Sequence, residues 1–314
     1  VTALLPALTA QARLRARHSD DCACSDPHGV LADRPDATVV RHAQVVAKAH
    51  APGTPEPTLT ARLAAAAHPD LADTLLAPLT ARPDRLHDRL VTLWPHGTPV
   101  DRDDPDAAPW EAVAALLARL HRTPPARFQA GLPPMRGPEK AARAVARMRA
   151  SAPHPAASPV ERAWSVLPPW ARDEAPYPGP PHLCHGDLHL GQLVRTPEDR
   201  WLLIDIDDLG TGNPAWDLAR PAAWYACGLL LPEEWTSFLN AYRAAGGPAV
   251  PADGADPWPA LDVPARALTV QTAALAITKA VAGERALDEV EETLVDACRR
   301  MAAVPPDLAP TCTK

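Results

Sequence analysis

Two short stretches hold side chains whose types and spacing could do chemistry: "CHGDLHLGQLVR" (184–195) and "WLLIDIDDLGTGNP" (201–214). In the second, an apolar run delivers Asp205, Asp207 and Asp208 into a Gly-rich turn. Unpaired carboxylates at the end of a buried strand are costly. A divalent cation removes that cost, and magnesium is a hard ion held by one or two carboxylates plus substrate phosphates. The same letters also suit an exposed acidic turn. In the first stretch, Asp187 follows a His-Gly turn and Gln192 stands five positions later. His182, His185 and His189 open a zinc alternative, since His185 and His189 are four apart. Gly186 and Gly191 weigh against a continuous helix there, and no H-E-x-x-H glutamate is present. Lys48 stands alone in the apolar run "QVVAKAHA"; only four of the 31 basic residues are lysines.

These residues need elements to position them. "ATVVRHA" (37–43) and "QVVAKAHA" (44–51) are β-branched runs almost back to back and predict a β-hairpin carrying Lys48. "APGTPEP" breaks the chain, and "TLTARLAAAA" reads as a short helix. "DRLVTLWPHGTPV" (88–100) predicts a strand running into a turn. "PWEAVAALLARLHRTP" (109–124) predicts an amphipathic helix with Val113, Leu116, Leu117 and Leu120 on one side. "EKAARAVARMRASAP" reads as a basic helix, "SPVERAWSVLPPWARD" as a helix ending at Pro168, and "EAPYPGPPHL" as a linker or exposed loop. "RWLLIDIDD" is a short strand ending in acids, and the remainder is mostly helical. About 37 residues precede the first strand of this outline.

A chain of 314 residues suffices for one large domain or two lobes. No apolar run approaches a membrane span, and the first residues lack the pattern of a secretory signal. A net charge of −7 argues against nucleic acid as a partner. The six cysteines form no CxxC pair and, apart from "CAC" at Cys22 and Cys24, stand singly. Reduced thiols and a cytoplasmic location are expected.

Read together, "HGDLHLGQ", "LIDIDD" with Asp205 13 residues after Gln192, and "WDLA" resemble the catalytic core of aminoglycoside phosphotransferase-like kinases. The resemblance spans about residues 38–300 and is specific over 183–220. It implies an α+β, bilobal, protein-kinase-like fold. A small antiparallel-sheet N-lobe (1–95) would be followed by a larger, mainly helical C-lobe (96–314). It implies ATP and Mg²⁺ as cofactors, with Asp187 as catalytic base and His185 bracing its loop. Asp205 and Gln192 would hold the metal, Gln192 standing where the family has Asn. Lys48 would contact the ATP phosphates with Glu56 as the nearest ion-pair partner, and Leu93, Trp94 and His96 would belong to the hinge against adenine. Asp217 would pair with backbone groups of the catalytic loop.

Two departures stand out. No G-x-G-x-x-G loop precedes Lys48, since "CSDPHGVLADRPD" offers only Gly29, and Gln192 carries one methylene more than Asn. "HGDLHLGQLVRT" resembles the maltokinase motif, and "IDIDDLGTGNPAWDLARPAAWYA" resembles actinobacterial glucosamine kinases. The expectation is therefore a glucosamine kinase phosphorylating the C6 hydroxyl of D-glucosamine. Maltokinase or aminoglycoside-type phosphotransfer is the alternative, and a non-catalytic kinase-like binding module the reading from another class. The acceptor amine would meet Asp208, with Asp187 and Asp207 nearby. Gln192 would touch sugar hydroxyls. Trp216, Arg220 and Trp224, at i, i+4 and i+8, would present one helix face to the sugar, although that stripe also suits a partly buried face. Beyond these small molecules, the expected state is a monomer or weak dimer without membrane or nucleic-acid partners.

Overall fold

The runs at 37–51 pair as strands β2 (Ala37–His42) and β3 (Val45–His50), joined by a two-residue turn that places Ala43 at a φ of 49°. In the computed structural model, which describes residues 4–19, 22, 29–101, 103–104, 107–128 and 131–304, this hairpin sits within a five-stranded antiparallel sheet. Cys24 lies outside the described residues. The sheet runs β1-β2-β3-β5-β4, with β1 Gly29–Arg34, β4 Asp84–Leu86 and β5 Arg89–Pro95.

Alternation assigns its faces. Val40, Val45, Ala47, Ala49, Val91 and Leu93 point to one side, where they form a core with Leu8 and Ala12 of helix α1 (Leu4–Arg15). Val39, Val46, Lys48, His50 and Trp94 therefore share the other side and line a cavity. Helix α2 (Glu56–Ala66) follows the predicted break at Pro55.

Neither α1 nor β1 was legible. Helix α1 buries only Leu8 and Ala12, so its apolar residues form no clear stripe. Strand β1 is an exposed edge with an irregular register between Val30 and Ala32, which destroys alternation.

Short strands β6 (Thr98–Pro99), β8 (Leu193–Arg195) and β9 (Trp201–Leu203) form a second sheet, and β7 (His182–Cys184) pairs with β10 (Gly210–Gly212). The predicted helix at 109–124 is α3 (Trp110–Arg122), and its four expected apolar residues are all buried. The helices α4 (Gly137–Ala150), α5 (Ala157–Ser165), α6 (Ala215–Ala226), α8 (Trp258–Ala282) and α9 (Glu289–Ala303) share one apolar core. Helix α7 (Pro232–Ala244) packs on α3.

The chain divides into two compact units. Val1–Pro109, Pro125–Pro133 and Leu190–Asp207 form the first, and Trp110–Pro124, Pro134–His189 and Asp208–Lys314 the second. The units are thus interleaved rather than meeting at one boundary after residue 95. The return of 190–207 to the first unit follows from pairing: β8 bonds to β6, and Leu203 exchanges backbone hydrogen bonds with Thr74 and Leu76. No helix among the described residues is long and apolar enough to cross a membrane.

Candidate active site

In the first unit, Lys48 projects from β3 into a cavity of about 280 Å³. Its Nζ lies 2.7 Å from Asp205 Oδ1 and 2.9 Å from Asp207 Oδ2. Burial alone would lower the Lys48 ammonium, but the two carboxylates outweigh it and hold it above its ordinary value. Burial likewise opposes ionisation of Asp207, yet Lys48 and then His50 keep it well below the usual carboxylate range. His50 Nδ1 stands 3.1 Å from Asp207 Oδ1, while its Nε2 accepts from the Thr92 hydroxyl at 2.9 Å. Thr92 in turn accepts from Trp94 Nε1 at 2.9 Å.

Asp205 reaches this position through strain that aspartate tolerates. Its φ of 64° is left-handed, and its Oδ1 accepts from the Asp207 amide at 3.3 Å, closing a turn just beyond β9. The half-buried pair Asp205 and Asp207, together with Gln192, supplies only oxygen donors on the cavity wall, the set a hard divalent cation takes. Gln192 is fixed from the backbone, its carbonyl accepting from Ile204 N at 2.9 Å. The rest of the lining is apolar: Val39, Val46, Leu76, Trp94, Pro95, Val194, Ile204 and Ile206 suit a flat heteroaromatic ring.

In the second unit, the loop after β7 carries Asp187. Gly186 has a φ of 87°, and a Cβ there would stand 2.4 Å from the Asp208 carbonyl oxygen, so only glycine fits. Asp217, in the first turn of α6, holds the loop by accepting from His185 N at 2.6 Å and Gly186 N at 2.7 Å. His121 Nε2 donates to the same carboxylate at 3.0 Å, and its Nδ1 accepts from Tyr242 OH at 2.7 Å. The Tyr242 oxygen also accepts from Ala249 N at 3.1 Å.

Asp187 itself meets two cations: Lys140 Nζ at 2.6 Å and Arg220 Nη2 at 3.0 Å. Burial pushes its carboxyl up, but Lys140 and Arg220 outweigh this and bring it down to about 2. Lys140 also reaches Asp208 at 2.8 Å, and Arg136 reaches Asp208 at 3.5 Å. Burial, with Asp187 adding, raises Asp208 despite these partners. One lysine shared between two acids favours the anion of the better-solvated partner, Asp187.

Several expectations change. Glu56 is not with Lys48: it sits exposed in the first turn of α2 and pairs with Arg85, while Asp205 and Asp207 take Lys48. Leu93 points into the core, because alternation along β5 turns Trp94 to the cavity in its place; His96 also lines the cavity. Trp216 is not a sugar platform. It is buried in the helical core beneath Gly137, where an added Cβ would stand 2.1 Å from its Nε1. Arg220 serves Asp187 and the Leu188 carbonyl, and Trp224 is half-buried. Asp208 is engaged by Lys140 and Arg136, and Asp207 by Lys48 and His50. His182, named for zinc, donates from Nδ1 to the His121 carbonyl oxygen at 2.9 Å. Sequence reasoning missed His50, Arg136, Lys140, His121 and Tyr242. The rarity of lysine was a usable signal for Lys140.

The chain belongs to the phosphotransferase enzyme family, whose model matches residues 38–258. Streptomycin 6-kinase of Streptomyces glaucescens is 36% identical over 120 residues, which span 37% of this chain and 35% of that protein. A choline/ethanolamine kinase family protein from Mesorhizobium loti shares the fold at a TM-score of 0.59 and 16% identity, covering 95% of this chain and 96% of the other. An aminoglycoside phosphotransferase in ternary complex with AMP-PNP and hygromycin B matches at 0.58 and 14% identity, covering 90% and 95%.

Proposed function

We propose that the chain transfers the γ-phosphoryl group of ATP to a hydroxyl of a small molecule, with an aminoglycoside-type acceptor ahead of glucosamine. The observation that carries this is the Lys48–Asp205–Asp207 cluster on the wall of an apolar cavity. A lysine and hard oxygen donors beside a slot for a flat ring are the parts that bind a magnesium nucleotide. The first unit would hold ATP, with Trp94, Pro95 and His96 against the base and Lys48 on the phosphates. Asp205, Gln192 and Asp207 would hold magnesium, which supplies charge neutralisation when bound.

In the second unit, Asp187 would orient the acceptor hydroxyl and take its proton. A carboxyl held near 2 is a weak base. It suits phosphoryl transfer, where positioning and charge stabilisation dominate and the proton moves late. Asp217, His121 and Tyr242 would hold the loop in place. An acceptor ammonium would have to displace Lys140 and Arg136 from Asp208, which removes the residue argument for glucosamine; the streptomycin kinase segment supports the aminoglycoside reading.

An acceptor screen with mass detection of the phosphorylated product tests this, using ATP with aminoglycosides, glucosamine, glucose, maltose and choline. Product from an aminoglycoside is the expected result. Product from glucosamine alone reverses the ranking, and no product from any hydroxylated acceptor points to a non-catalytic module.

A further inference from the structure

Away from the cavity, His18, Cys22 and His42 bring three metal-ligating atoms within 4.8 Å of one another. We propose that they form a structural zinc site in the first unit. The local fold aims them. Helix α1 ends with Arg17 in the left-handed region (φ 61°), and His18 N donates back to Arg13 O, a turn that throws the His18 ring off the helix end. Cys22 follows on a turn closed by its own amide to Ser19 O at 3.2 Å. His42 is the buried last residue of β2.

The two separations at His42 Nε2 are close to those of a tetrahedral shell. With Zn–N near 2.05 Å and Zn–S near 2.3 Å, tetrahedral angles put two nitrogens about 3.3 Å apart and a sulfur about 3.6 Å from a nitrogen. His18 Nδ1 stands 3.1 Å from His42 Nε2, and Cys22 Sγ stands 3.5 Å from the same nitrogen. Hydrogen bonding explains this poorly, because an imidazole Nε2 offers one in-plane site, a proton or a lone pair, and two groups converge on it. Thiolate and imidazole select zinc over the hard cation of the phosphate site. On binding, the Cys22 S–H bond breaks, its proton leaves to solvent and a Zn–S bond forms. Both imidazoles bind neutral, through lone pairs, and no electron is transferred. With three protein ligands, the ion would fasten the end of α1 to β2.

The test is zinc content of the purified full-length chain by mass spectrometry, together with cobalt titration of the metal-stripped chain. One zinc per chain and a thiolate-to-cobalt charge-transfer band at one equivalent are expected. His18→Ala and Cys22→Ser should each weaken zinc binding on the order of tenfold or more, whereas Asp205→Asn should leave it unchanged. Should either variant fail to fold, the cobalt band of the unsubstituted chain decides by itself. Absence of stoichiometric metal, a Cys22–Cys24 disulfide in its place, or loss of the zinc on Asp205→Asn overturns the proposal.

Discussion

Replacing Lys140 by Met isolates the electrostatics of the loop that carries Asp187. The lysine bridges Asp187 at 2.6 Å and Asp208 at 2.8 Å, so its loss leaves two half-buried acids facing one another. Asp187 lies near 2 against an ordinary 3.8, a difference of about 2 kcal/mol in favour of the folded state at neutral pH. Lys140 and Arg220 supply that difference against burial, and the variant also strands Asp208. The expected cost at pH 7 is about 2–4 kcal/mol, read as a fall of roughly 5–10 °C in melting temperature. Because the Asp187 carboxyl is depressed on folding, its contribution is present above the unfolded value of 3.8 and is lost as pH falls towards 2. Lys140, raised on folding, contributes fully below 10.5 and loses it only on the alkaline side. The gap between variant and unsubstituted chain should therefore hold from about pH 9 to pH 5 and shrink to about half near pH 3. Adding Asp208→Asn should recover part of the loss by removing the stranded carboxylate. A gap that is constant with pH, together with no recovery in the double variant, would refute the electrostatic account and leave only lost packing.

Two further substitutions probe the loop's support. Tyr242→Phe leaves His121 Nδ1 and the Ala249 amide without their partner, a cost of about 1–3 kcal/mol in thermal or denaturant melts. Nucleotide affinity, which the proposed function assigns to the first unit, should be unchanged by it. Gly186→Ala should cost about 2–3 kcal/mol, whereas Gly53→Ala, at a similar φ of 77° but with open space around it, should cost about 1 kcal/mol. Equal losses at the two glycines would mean that the Asp208 carbonyl yields.

What was legible in the sequence followed from period and punctuation. The hairpin of β2 and β3 alternates cleanly, and the same alternation that buries Ala47 and Ala49 turns Lys48 to the cavity. Asp187, Asp205 and Asp217 were legible because Gly186 and the apolar strand before Asp205 fix their setting locally. The pairings were not, because they arise between distant segments. Asp207 meets Lys48 across 159 positions and Lys140 meets Asp187 across 47, and no local pattern encodes either choice. Glu56 lost to Asp205 for that reason. Trp216 shares a helix face with Arg220 yet is buried, because what packs on that face, Gly137 of α4, lies far along the chain.

The central claim, that Asp187 serves phosphoryl transfer while the first unit holds the nucleotide, is tested most directly by Asp187→Asn. Initial rates of ATP-dependent phosphorylation of the acceptor found in the screen would be measured beside ATP affinity by calorimetry. A fall in rate on the order of 10²–10⁴-fold, with ATP affinity preserved, is the predicted result. Undiminished transfer by the variant would contradict the assignment.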